Sequence, residues 1–196
     1  MPTYDPSTAL IIVDVQNDFA DPAGGLSVAG GAAVVPVINE QVAVALAAGA
    51  HVVYTQDWHP PVTPHFAKDG GIWPVHCVAE SWGAELHSDL AVDGPVVRKG
   101  ANGEDGYSGF TMRDPGSGAE VATELDRLLR AAGIRRVVVG GLATDYCVKA
   151  TALDARRLGY PTVLLTDAIA AVDLVAGDGE RAIAEMVAAG VELAAG

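Results

Sequence analysis

Six short runs of aliphatic and β-branched residues, each apolar almost without a break, constrain most tightly what this chain can become. They are Ala9–Val13, His51–Thr55, Pro95–Arg98, Arg136–Val139, Thr162–Leu165 and Val191–Ala194. A strand with one wet face alternates polar and apolar residues; these do not, so both of their faces are expected to be covered. Between them lie Ala-rich helical stretches at about Ala33–Ala48, Ala119–Ala132, Thr144–Leu158 and Gly179–Ala189. Glycines at 49, 133 and 159 close the first three, as they often close helices. Strand, helix, strand is thus the repeating unit. It predicts an α/β three-layer sandwich, with a mostly parallel, Rossmann-like sheet flanked by helices. At 196 residues and 50% hydrophobic composition, one domain spanning 1–196 is expected.

The formal net charge of -13 repels phosphate backbones and anionic membranes, so a nucleic-acid partner is not expected. No stretch approaches a membrane span, and the N-terminal apolar run is cut short by Asp14. Cys77 and Cys147 have no Cys-x-x-Cys spacing, which disfavours a redox role, and are expected to stay reduced in a cytoplasmic protein.

In an open parallel sheet, ligands sit beyond the carboxyl ends of the strands. Asp14 follows the first run, Asp57 closely follows the second, Lys99 follows the third, and Cys147 opens the helix after the fourth. Alone, Asp14 would read as a turn residue, Lys99 as a solvated charge and Cys147 as a small buried hydrophobe. Four separate segments delivering reactive groups to one edge read instead as a site. In Gly-Gly-Leu-Ala-Thr-Asp-Tyr-Cys, Thr144 is expected to cap the helix. That would place the thiol in the first turn, where the helix dipole and a nearby lysine lower its pKa. The small residues from Gly140 to Ala143 allow a tight turn whose amides can serve as an oxyanion hole.

The stretch from Gln56 to Asp93 breaks the rhythm and is rich in Pro, Gly, Trp and His, and a long insert of this kind is usually functional. Within it His59, His65 and His76, three of only five histidines, fall inside eighteen residues. Asp57 and His59 are two apart, so on an extended segment they face the same side and can grip one ion together. A carboxylate with two or three imidazoles suits zinc, iron or manganese in an open site. The alternative is loop histidines that only hydrogen-bond. His51 and His87 read as structural, and Cys77 as core packing.

The segments IIVDVQNDF (11–19), TQDWHPPVTPHF (55–66), WPVHCV (73–78), RKGANGEDGYSGF (98–110) and GGLATDYCVKATALDA (140–155) resemble the nicotinamidase and pyrazinamidase branch of the isochorismatase-like cysteine hydrolases. The likeness runs in order through nearly the whole chain. It implies that Cys147 is a nucleophile that passes through a thioester, that Asp14 is its general base, and that Lys99 holds the two in register. It also implies an oxyanion hole made by the amides of Ala143 and Cys147, with a cis peptide between Leu142 and Ala143. Asp57, His59 and His76 match the family's metal ligands, with His65 at a position that varies and often supplies a fourth. One divalent ion is implied, zinc first, with iron or manganese as alternatives. Phe19, Trp73 and Tyr107 match aromatic positions around the substrate ring. The implied reaction is hydrolysis of nicotinamide, and of pyrazinamide, to the acid and ammonia; assembly into a homo-oligomer is left open. The Gly-Glu-Asp-Gly turn at 103–106 departs from close relatives in length and charge. Rival readings are a carbamoyl or ureido amide hydrolase of the same superfamily, or a binding module that has lost the chemistry. The second is disfavoured because Asp14, Lys99 and Cys147 are all present.

Overall fold

The computed structural model describes every residue, Met1–Gly196. One sheet holds strands β1 (Thr8–Val13), β2 (His51–Asp57), β3 (Val96–Lys99), β6 (Arg136–Leu142), β7 (Thr162–Ala170) and β8 (Glu192–Ala194). Their order is β3-β2-β1-β6-β7-β8 and every pairing is parallel. The helices are α1 (Asn17–Ala20), α2 (Gly31–Ala47), α3 (Leu125–Ala131), α4 (Lys149–Arg157) and α5 (Asp178–Ala188). None is long and apolar enough to cross a membrane.

The unbroken apolar runs divide residue by residue between two cores, because successive side chains of a strand point to opposite faces. Leu10 and Ile12 of β1 pack in one core with Val34, Ile38 and Val42 of α2. Ala9, Ile11 and Val13 join Leu125 and Leu129 of α3, Ala152 of α4 and Met186 of α5 in the other. Leu10, Ile11 and Ile12 are fully buried, and burial of each contributes roughly 1.5–3 kcal/mol. The expected three layers are therefore present, with the sheet in the middle.

From β1 the chain moves outward through β2 and β3, then returns to β6 on the other side of β1 and moves outward again. The carboxyl ends of β1 and β6 flank the point where this direction reverses, the place where a parallel sheet opens a crevice.

Two expectations need correction. The helix read over Ala119–Ala132 starts only at Leu125. Residues 120–122 instead form β5 (Glu120–Ala122), which pairs antiparallel with β4 (Thr111–Arg113). The reason lies in the intervening Asp-Pro-Gly-Ser-Gly, where Asp114 Oδ1 accepts from the amides of Gly116 and Ser117 at 3.1 and 2.7 Å and so ties a turn. Thr123 then starts the helix by accepting from the Leu125 amide at 3.1 Å. Second, β2 and β3 each run further than their apolar cores, so Asp57 and Lys99 are the last residues of strands rather than the first beyond them.

Gly140 and Gly141 look equivalent in sequence and differ in the fold. Gly141 has φ +120 and packs so close to β1 that a Cβ would lie 2.1 Å from the Val13 carbonyl oxygen, whereas one on Gly140 would meet nothing nearer than 3.4 Å. Gly141→Ala is therefore expected to lower stability by more than about 2 kcal/mol in urea unfolding, with Gly140→Ala costing clearly less. Equal midpoints for the two variants would contradict this placement.

Candidate active site

Each strand end contributes one group. Asp14 follows β1 with φ +48, a left-handed conformation that aspartate tolerates and that stops the strand. Its Oδ1 accepts from Thr55 Oγ1 at 2.6 Å, and its amide donates back to the same hydroxyl at 3.2 Å. Asp57 and Lys99 are register partners across β2 and β3. The Lys99 ammonium donates to Asp57 Oδ1 and lies 2.9 Å from Asp14 Oδ2 and 3.6 Å from Cys147 Sγ. Asp14 Oδ2 is buried and is held by the Lys99 ammonium as an ion pair. Lys99 and Asp14 are 2% and 0% exposed, so neither charge is relieved by water.

This crowding sets the ionisation of all four groups. Burial pushes the Asp14 carboxyl up, and the charge of Asp57 adds to it, against the pull of Lys99 and Thr55. Burial also pushes Asp57 up, but Lys99, His59 and His76 outweigh it and hold that group down to about 2. Burial would discharge Lys99, yet the two carboxylates overcome this and keep it charged. The thiol departs from expectation. Burial raises the Cys147 pKa well above its ordinary value, and the two carboxylates add to that despite Lys99, so the resting group is a neutral thiol.

The expected Thr144 cap is also absent. Ala143 takes the capping position with no side-chain bond, and Thr144–Val148 form a π turn that runs into α4. The amides of Tyr146 and Val148 both donate to the Ala143 carbonyl, at 3.2 and 3.1 Å, passing over the Cys147 amide between them. The Leu142–Ala143 peptide is cis.

His59, His65 and His76 are all buried, and one nitrogen of each lies within 4.8 Å of the others. Asp57 is drawn instead toward Asp14 and Cys147, with its Oδ2 still 4.0 Å from His59 Nε2. Burial lowers His59 to about 4 and also lowers His76, so both are neutral imidazoles. Neither ring nitrogen of His59 has a hydrogen-bond partner. A buried imidazole without a protein partner, beside two further imidazoles and a carboxylate, fits a divalent cation, which would take the lone pair of one His59 nitrogen. Gly100 makes room for this cluster, since a Cβ there would lie 2.8 Å from His59 Nδ1.

Phe19, Trp73 and Tyr107 line one cleft together with Asp57, His65, His76, Ala143 and Cys147. Phe19 leans on His76 at 5.3 Å, and Trp73 Nε1 donates to the Tyr107 hydroxyl at 3.1 Å. The sequence reading did not assign Tyr146 to this wall, although its ring sits edge-on to Trp73 at 4.8 Å. Leu26 and Val172 complete the lining and were also unforeseen. So was Gln16, whose side chain accepts from the Asp57 amide and donates to the Asp57 carbonyl, at 2.8 and 2.7 Å. It closes the gap beside β2 as a neighbouring strand would.

The model of the family described as the Isochorismatase domain matches residues 8–195. The chain belongs to that family. The nicotinamidase/pyrazinamidase of Mycobacterium tuberculosis is 43% identical, over 94% of this chain and 97% of its own length. The zinc complex of the pyrazinamidase of Pyrococcus horikoshii superposes with a TM-score of 0.86 at 40% identity, covering 97% of this chain and 100% of that one. PnC1 from L. infantum, in complex with nicotinate, gives 0.88 at 41% identity, over 99% of this chain and 96% of that one. The isochorismatase-like hydrolase fold is thereby established, with the dense cluster at its sheet edge.

Removing the central cation should cost stability in a pH-dependent way. Lys99→Met leaves two buried carboxylates without a cation, a loss of about 3–5 kcal/mol at neutral pH. Asp57 is depressed in the folded state, so the stability it lends is complete above its unfolded value of about 4 and fades as pH falls toward about 2. The gap between wild type and variant should therefore narrow over that acid window in urea titrations. A gap that is constant from neutral pH down to the acid limit would show that Lys99 does not compensate these carboxylates.

Proposed function

We propose that this chain is a nicotinamidase, hydrolysing nicotinamide to nicotinate and ammonia, with pyrazinamide as a second substrate. One observation carries the reading. A buried thiol lies within 4.8 Å of a buried aspartate carboxylate and 3.6 Å from the lysine that pairs with it, at the foot of a cleft walled by aromatic rings and histidines.

The chemistry follows from the ionisation pattern. Asp14, made basic by burial, takes the Cys147 proton as sulfur attacks the carboxamide carbon. Lys99, within 3.6 Å of the sulfur, stabilises the negative charge as it develops there. The amides of Ala143 and Cys147 receive the oxyanion. Asp14 then hands its proton to the departing ammonia, leaving a thioester that water hydrolyses with Asp14 again as base. A neutral resting thiol suits this sequence, because the proton needed by the leaving group is held in the site rather than lost to solvent.

Phe19, Trp73 and Tyr107 hold the ring, and Tyr146 adds an edge. His59, His65 and His76, with Asp57 beside them, would hold one divalent ion; zinc is preferred, as in the Pyrococcus relative, over iron or manganese. When bound it supplies a Lewis acid that takes the ring nitrogen of the substrate and orients it. A single domain over 1–196 accords with the extent of the family match. A cytoplasmic location accords with two free cysteines, one of which must stay a thiol.

Ammonia release measured on nicotinamide, pyrazinamide and benzamide tests the reading. Benzamide lacks the ring nitrogen and should fall behind nicotinamide in kcat/KM by about a hundredfold or more, with pyrazinamide close to nicotinamide. Cys147→Ala should lose at least about a thousandfold with the fold intact, and chelation should remove activity that zinc restores. Equal rates on benzamide would sink the substrate assignment, and a Cys147→Ala enzyme within about tenfold of wild type would sink the nucleophile.

A further inference from the structure

We propose that Asp105 is a positioning residue for the metal site, its carboxylate orienting the His65 ring so that His65 serves as a ligand. The inference rests on the reading of the three histidines as metal ligands and extends it to a residue outside them.

His65 Nδ1 lies 2.7 Å from Asp105 Oδ1. A carboxylate only accepts, so Nδ1 carries the hydrogen of this bond and Nε2 is the nitrogen left to offer a lone pair to a metal. His76 is set in the same way by a different group, its Nδ1 lying 2.7 Å from the Pro74 carbonyl. Two of the three clustered rings thus have Nδ1 occupied by an acceptor and Nε2 free, the arrangement by which outer partners orient metal-bound histidines. The pair also bridges two environments. The His65 side chain is 5% exposed and that of Asp105 47%, so a carboxylate at the surface fixes a ring in the interior.

The carboxylate is itself held. The Asp105 backbone exchanges two hydrogen bonds with Arg113 of β4, at 2.9 and 2.6 Å, and Oδ1 accepts from the Gly106 amide at 2.8 Å. The hairpin thus places Asp105 independently of its side chain. Two residues on, the Tyr107 hydroxyl accepts from Trp73 Nε1, so this loop grips the histidine-bearing insert at two points. His65 and Trp73, the two gripped rings, stack with planes 27° apart. The acidic Gly-Glu-Asp-Gly turn therefore has a specific task, delivering a carboxylate to the back of one ligand.

Zinc affinity, read by competition with a chelating dye on the full chain, decides the matter. Asp105→Ala should weaken zinc binding about 10–100-fold. Asp105→Asn should recover part of the loss, because its amide oxygen can still accept from Nδ1. In a His65→Ala background the same Asp105→Ala change should add less than about threefold, since its effect runs through that ring. An Asp105→Ala affinity within about threefold of wild type, or an undiminished cost in the His65→Ala background, would overturn the proposal. A wild-type chain that binds no zinc, iron or manganese would instead overturn the metal reading on which it stands.

Discussion

One ammonium group organises this molecule. Lys99 Nζ is removed from water and answered by Asp57, Asp14 and the Cys147 sulfur, which arrive from β2, the end of β1 and the turn after β6. A buried charge left alone would cost several kcal/mol, so these segments are held together by electrostatics as well as by their apolar faces. The Asp57–Lys99 pairing is a matter of register between adjacent strands, and a slip of one residue would turn Lys99 to the opposite face of the sheet. Thr55, two residues before Asp57 in β2, holds Asp14 from the same strand. The geometry of the site is thus written into β-sheet pairing, which is stiffer than any loop.

The same cation divides labour between its two carboxylates. Asp57 has Lys99 hydrogen-bonded to it and stays ionised, whereas burial leaves Asp14 with a raised pKa. Environments that drive two like groups apart separate an acid–base role from a purely electrostatic one. Asp57 also lies between Lys99 and His59, so it joins the proposed thiol chemistry to the proposed metal cluster. The proposed nucleophile and the proposed metal ligands are therefore parts of one buried network.

Much of this was legible in the chain itself. The continuous apolar runs gave both the parallel sheet and its two covered faces, because Leu10 and Ile12 serve one core while Ile11 and Val13 serve the other. Asp14, Asp57, Lys99 and Cys147, read from their places at or after strand ends, do come together, since the carboxyl ends of parallel strands share one edge of the sheet. Long-range partners were less visible. Thr55 and Gln16 sit within or beside strands and look like ordinary polar punctuation; only the register shows that they face Asp14 and Asp57. The hairpin at 111–122 was hidden by a helix-like run of alanine and glutamate, although Asp-Pro-Gly-Ser-Gly is a turn signal that should have outweighed it. Helix position and a nearby lysine favour a lowered thiol pKa, but burial, which a sequence does not display, is the larger effect here.

The central claim is that a neutral Cys147 thiol adds to the substrate carbonyl by giving its proton to Asp14. The aldehyde analogue of nicotinamide isolates that step, since thiol addition to an aldehyde yields a tetrahedral adduct with no group to leave. Pyridine-3-carbaldehyde, isotope-labelled at its carbonyl carbon and bound to the metal-loaded enzyme, can be followed by NMR. The account predicts that the carbonyl resonance moves to the tetrahedral-carbon region in the wild type and stays in the aldehyde region with Cys147→Ala. An aldehyde resonance that persists in the saturated wild-type complex, or an adduct that forms equally well without the Cys147 sulfur, would contradict it.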